Sequence, residues 1–150
     1  MLLMGSVISD PQTDQLLREW RWLIPSGEVC AVTALGDMIL NVDGSFWFLC
    51  AAVAQLEPLA ASEQELARVL AQKKDEIFGT AFIEKMRREG LELAEGQCVG
   101  FKQPVVLGGG YTRSNAYAVE ACECVSWLGD LHRQINDLPD GAKIKLNITD

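Results

Sequence analysis

The sequence predicts a single α+β domain built on an antiparallel sheet of about five to six strands, with three to four helices. Three observations carry this. Four short apolar runs rich in β-branched and aromatic residues follow one another between Val29 and Leu59, with connections too short for parallel crossovers. One connection is Asp43-Gly44, and Asp-Gly between two apolar runs signals a tight hairpin. The helical patterns are grouped before and after these strands and do not alternate with them, which is the order of an α+β chain.

The elements follow in order. Residues 11–24 read as a first helix, with Asp10 as cap, Pro11 at the first helical position, and Leu16, Trp20, Leu23 and Ile24 on one face. Pro25-Ser26-Gly27 stops it. Strands are expected over 29–34, 37–42, 45–51 and 54–59. Ser62 with Glu65 forms a capping box that opens a second helix, buried through Leu66, Val69 and Leu70. A third helix is expected over 75–89, with Phe78, Phe82 and Met86 at four-residue spacing and Gly90 as its stop. Residues 94–115 are irregular, with glycines around two short apolar runs, 98–101 and 105–107. A last helix is expected over 120–136, buried through Cys124, Leu128, Leu131 and Ile135. After a Pro139-Asp140-Gly141 turn, residues 142–148 alternate apolar and polar as a half-exposed closing strand.

Composition bounds the function. At 150 residues, 49% hydrophobic and 23% charged, the chain has the size and make-up of one ordinary globular domain, 1–150, needing no disulfide or metal to fold. Thirteen basic against 21 acidic residues give a net charge of −8. That balance argues against binding nucleic acid, which calls for a basic footprint, and against docking on anionic lipid. It suits a basic protein partner. Five cysteines, an odd number among apolar neighbours, fit reduced thiols in the cytoplasm. Met1-Leu2-Leu3-Met4 lacks the basic start and the length of a secretory signal, and the longest apolar runs are too short to span a membrane.

The motifs for chemistry are weak. His132, the one histidine, stands beside the apolar stripe of the last helix and reads as structural or partner-contacting. Cys122-x-Cys124 lacks the second close pair of a zinc site, so the thiols read as buried and no metal or cofactor is expected. Gly108-Gly109-Gly110 does not lead into the Lys-Ser/Thr of a phosphate loop and reads as a tight turn allowing positive φ. Carboxylates gather at Glu84, Glu89, Glu92 and Glu95, and at Asp130, Asp137 and Asp140, and read as solvated surface or a partner patch. Trp20 and Trp127 fit buried stripes, whereas Trp22 and Trp47 fall off them. Trp47, Glu92, Glu95, Tyr111, Arg113, Asp137 and Asp140 combine expected exposure with aromatic or charged character, and are the candidate partner contacts.

The order of motifs resembles a known family. Its members are Gly36-Asp37 with the hairpin and Ala60-Ala61-Ser62; Gly96-Gln97-Cys98-Val99-Gly100-Phe101-Lys102; Leu107-Gly108-Gly109-Gly110-Tyr111 with Asn115; and Gly129-Asp130-Leu131-His132-Arg133-Gln134-Ile135 before Leu138-Pro139-Asp140-Gly141. Together, over residues 34–146, these resemble the C-terminal domain family of bacterial type VI secretion DNase-immunity proteins. The first half is similar to the broader Smi1/Knr4-type immunity superfamily. The resemblance implies a Smi1/Knr4-like fold and a cytoplasmic immunity protein, not an enzyme, that binds and blocks a cognate secreted toxin as a monomer or homodimer. It implies no catalytic residues. It also implies that an N-terminal domain common in relatives is missing or reduced before Gly36. A non-catalytic regulatory or scaffold module binding a cellular protein is the alternative expectation. A small enzyme using His132 or paired carboxylates is the second.

Overall fold

Four strands form an antiparallel meander in the order β1-β2-β3-β4: β1 Glu28–Val32, β2 Met38–Val42, β3 Ser45–Cys50 and β4 Gln55–Ala60. They belong to a computed structural model that describes residues 10–138. Asp43 and Gly44, at φ 53 and 87, make the expected two-residue turn, with Val42 paired to Ser45. Side chains alternate between two covered faces. On β2, Met38 and Leu40 enter one apolar cluster and Ile39 another; on β3, Leu49 and Trp47 join the first, Phe46 and Phe48 the second. Coverage on both faces explains why the central strands β2 and β3 are largely apolar on both sides, whereas the edge strand β4 carries exposed Gln55 and Glu57.

The first face is covered by α1 (Asp10–Arg18) and by the long final helix α5 (Ala121–Ile135). The expected first helix ends early: α1 stops at Arg18, and turns held by Trp20 N–H to Leu17 O and by Leu23 and Ile24 N–H to Trp20 O carry the chain to Ile24. The cause is tertiary. Trp20 Nε1 donates to Val125 O at 2.8 Å and Trp22 Nε1 to Gly129 O at 3.2 Å, so both indoles face α5 and stack at 6.2 Å. Two residues apart on an α-helix lie about 200° apart, so a regular helix could not turn both to one neighbour.

The second face is covered by α2 (Glu63–Gln72) and α3 (Lys74–Phe78), through Leu66, Ile77 and Phe78. Ser62 caps α2, accepting from Glu65 N–H at 3.1 Å, while Glu65 reaches back to Ala61 N–H at 3.0 Å. The expected single helix over 75–89 is in fact two, α3 and α4 (Thr80–Arg88), broken at Gly79. Gly79 adopts the left-handed conformation at φ 62, and a Cβ there would collide with Leu35. The break lets Ile83 and Met86 turn toward a third apolar cluster, with Ala34, Val99 and Ala116.

That cluster belongs to a separate two-stranded antiparallel sheet of β5 (Gln97–Phe101) and β6 (Ala116–Glu120). The class is therefore α+β as expected, with six strands split between two sheets and five helices among the described residues. The segment over 94–115, expected to be irregular, holds strand β5 and a 3-10 turn at Val105–Leu107, and β6 fills residues left without an element before the last helix. The sheets join where Val99 N–H donates to Ala34 O at 2.8 Å, beside the turn between β1 and β2. The expected closing strand over 142–148, the Pro139-Asp140-Gly141 turn and Asp140 lie outside the described residues.

Candidate functional site

A groove of about 380 Å³ opens between the β5–β6 sheet and α5. Val99 and Phe101 of β5 and Tyr117 and Val119 of β6 form one wall; Glu123, Trp127 and Leu128 of α5 form the other, with Cys124 also lining it. Trp127 is 39% exposed and Tyr117 41%. The expectation that Trp127 belongs to the buried stripe of its helix is thus overturned. The buried face of α5 is Ala121, Val125, Gly129, Leu131 and His132; of the expected stripe Leu131 is buried, while Cys124, Leu128 and Ile135 are only half-buried. Gly129 sets this rotation: a Cβ on it would meet the Trp20 ring at 2.8 Å and the Glu19 backbone at 2.9 Å, so the helix approaches Trp20 through its glycine and leaves Trp127 on the flank.

Gly100 shapes the opposite wall. It pairs with Tyr117 across the sheet, and a Cβ on it would meet Val119 Cγ1 at 2.9 Å and Tyr117 Cζ at 3.1 Å. The tyrosine ring lies over the bare strand, the kind of close approach that a glycine inside a strand signals. Lys102 and Glu123 supply opposite charges along the groove.

Behind the groove lies a polar core at the junction of the two sheets. Asp37, 7% exposed, accepts the Ala51 N–H at 3.0 Å and a hydrogen bond from the Cys50 thiol. Burial outweighs both contacts and pushes its carboxyl up to about 7. Burial, helped by that carboxyl, raises the Cys50 thiol to about 11. His132, 4% exposed, donates from Nε2 to Ala51 O at 3.0 Å and packs 5.7 Å from Trp20; burial lowers its pKa below 6.5. Thus Ala51 is held from both sides by titratable groups. On α5, Asp130 pairs with Arg133, which also reaches Glu19 at 3.8 Å.

The candidate contacts fall in several places. Tyr111, 48% exposed, stands edge-on to Phe101 at 5.2 Å and to Phe82 at 5.8 Å. Arg113 is half-buried and ties its loop down, donating to Glu89 O at 3.2 Å and Ala116 O at 3.1 Å. Glu92 and Glu95 are exposed in the segment between α4 and β5. Trp47 is half-buried in a separate shallow depression beside Pro58 and Glu65, because the sheet face it points to is covered too. Asp137 is exposed just past α5. The groove residues Tyr117 and Trp127 were not among the candidates; the alternation Tyr117-x-Val119 opposite Gly100 is the signal that could have found the former.

The glycine-rich loop is built by its neighbours more than by positive φ. Gly108 is left-handed at φ 96, whereas Gly109 serves close approach, since a Cβ there would collide with Gln103 O. Asn115 closes the loop, accepting from Gln103 N–H at 2.8 Å and donating to Gln103 O at 3.0 Å and Gly110 O at 2.9 Å.

Among the described residues, no three or more His, Cys, Asp or Glu side chains are grouped to hold a metal ion, and no helix is long and apolar enough to cross a membrane. No protein-family model matches the chain, and no curated protein matches it.

Proposed function

We propose that this chain is a non-catalytic, cytoplasmic binding protein of the immunity type, which blocks a secreted toxin by taking part of it into the groove between β5–β6 and α5. The observation that carries the reading is the pair Trp127 and Tyr117, each about 40% exposed over an apolar groove. Exposed tryptophan and tyrosine beside a ready-made recess are the residue types that anchor protein interfaces. The net charge of −8 suits a partner with a basic surface, as a nuclease toxin has for phosphate. Glu92, Glu95 and Asp137, all exposed, are placed to steer such a partner. His132 is committed to the Ala51 carbonyl and is not among the groove residues, which favours binding over catalysis.

The test is protection of cells against the toxin encoded beside this chain's gene, with binding measured in parallel. Trp127→Ala and Tyr117→Ala should each weaken binding by about 30-fold or more, the loss of about 2 kcal/mol typical of an interface anchor. Reversal of Glu92, Glu95 and Asp137 to lysine should slow association while melting stays normal. Full protection by the doubly substituted Trp127→Ala, Tyr117→Ala protein, folded as wild type, would remove the groove from the reading.

A further inference from the structure

The sulfurs of Cys98 and Cys124 converge behind the groove. A Cβ on Gly36 would meet Cys98 Sγ at 3.5 Å and Cys124 Sγ at 3.9 Å, so both thiols border the same small space. They come from different elements, β5 and α5. Their accessibility differs. Cys98 is fully buried, whereas Cys124 is half-buried and lines the groove. A thiol on the wall of a groove, with a second, buried thiol bordering the same space, is the arrangement of an attacking and a resolving cysteine.

We propose that Cys124 and Cys98 form a peroxide-oxidisable dithiol, in which Cys124 is attacked through the groove and Cys98 closes the disulfide. In the first step the Cys124 sulfur forms a bond to one oxygen of a hydroperoxide. The O–O bond breaks and the departing oxygen leaves as hydroxide, or as alkoxide from an organic peroxide, and takes up a proton. In the second step the Cys98 sulfur attacks the Cys124 sulfenic acid. The S–S bond forms, the S–O bond breaks, and the oxygen leaves as water with the Cys98 proton. With hydrogen peroxide, two thiols lose two hydrogens and two waters form.

The electrostatics assign the same roles. The hydrogen bond from Cys98 holds the Cys124 thiol below the ordinary thiol range, against burial and the nearby Asp37 carboxyl. The same contact, with burial, drives the Cys98 thiol upward. Cys30, Cys50 and Cys122 are all raised, chiefly by burial, which leaves Cys124 as the one lowered thiol among the five cysteines. The disulfide would tie β5 to α5 across the floor of the groove.

The reduced protein is treated with a small excess of hydrogen peroxide, then denatured for thiol counting and digested without reductant for peptide mapping. The proposal expects two of the five thiols lost and one cross-linked peptide joining Cys98 to Cys124, reversed by dithiothreitol. Cys98→Ala should trap a sulfenic acid at Cys124, captured by dimedone, and Cys124→Ala should abolish both products. All five thiols retained, a disulfide of any other pairing, or dimedone capture at another cysteine would overturn it. The wild-type peptide map decides the pairing even where a variant fails to fold.

Discussion

Replacing Asp37 by asparagine isolates the electrostatic cost of the sheet junction. In the folded chain this carboxyl titrates near 7 against an ordinary 3.8, because burial disfavours its charged form more than the Ala51 N–H and Cys50 thiol favour it. Between those pH values the native state holds a proton that the unfolded chain has released. Its contribution is thus fully present below 3.8 and is lost as pH rises through about 7. At 1.36 kcal/mol per pH unit the loss is about 4 kcal/mol, a large share of the 5–15 kcal/mol that holds a typical domain together. Asparagine keeps an oxygen to accept the Ala51 N–H and cannot ionise. Urea unfolding at pH 4 through 8 should show the variant gaining on wild type by about 4 kcal/mol, a midpoint difference of about 2 M at a typical denaturant slope. His132 runs the other way: its pKa is lowered by burial, so its contribution is present above 6.5 and lost as pH falls. It is common to both proteins and cancels in the difference. A difference that stays flat within 1 kcal/mol across this range would refute the argument that Asp37 is held protonated by burial.

Two further substitutions test the packing that frames the groove. Gly129→Ala sets a methyl against the Trp20 ring and the Glu19 backbone; overpacking outweighs the gain in helix propensity, and thermal unfolding should show a net loss on the order of 1–2 kcal/mol. Asn115→Ala removes three hydrogen bonds that close the loop onto Gln103 and Gly110; about 2 kcal/mol of local stability should go, read as faster amide exchange over residues 103–115 with the rest of the chain unchanged.

The meander was legible because its signals are local. Asp43-Gly44 fixes a turn by its own backbone preferences, and Ser62 with Glu65 fixes a helix start within one turn. What failed was set by distant partners. Trp20 and Trp22 both donate to α5, more than a hundred residues on, and no local pattern announces that the first helix must loosen to allow it. Gly79 looked like any residue within a helical period, and its meaning depends on Leu35. β6 runs directly into α5 with no glycine or proline between them, so the boundary left no mark in the residues. The same blindness hid the site, since the groove lies between those two elements and its exposed tryptophan had been assigned inward.

Gly129 and Gly100 together make the groove a consequence of packing and not a gap left by it. Each is a position where a methyl would strike an aromatic ring, Trp20 in one case and Tyr117 in the other. On α5 the missing side chain lets the helix settle onto Trp20, and that rotation carries Trp127 outward. On β5 it lets the Tyr117 ring lie across the strand and form the facing wall. Trp127 and Tyr117 are thus each about 40% exposed and face the same recess, whereas Trp20 is wholly inside. Two large aromatics exposed over one recess are the feature on which the proposed docking of a partner rests.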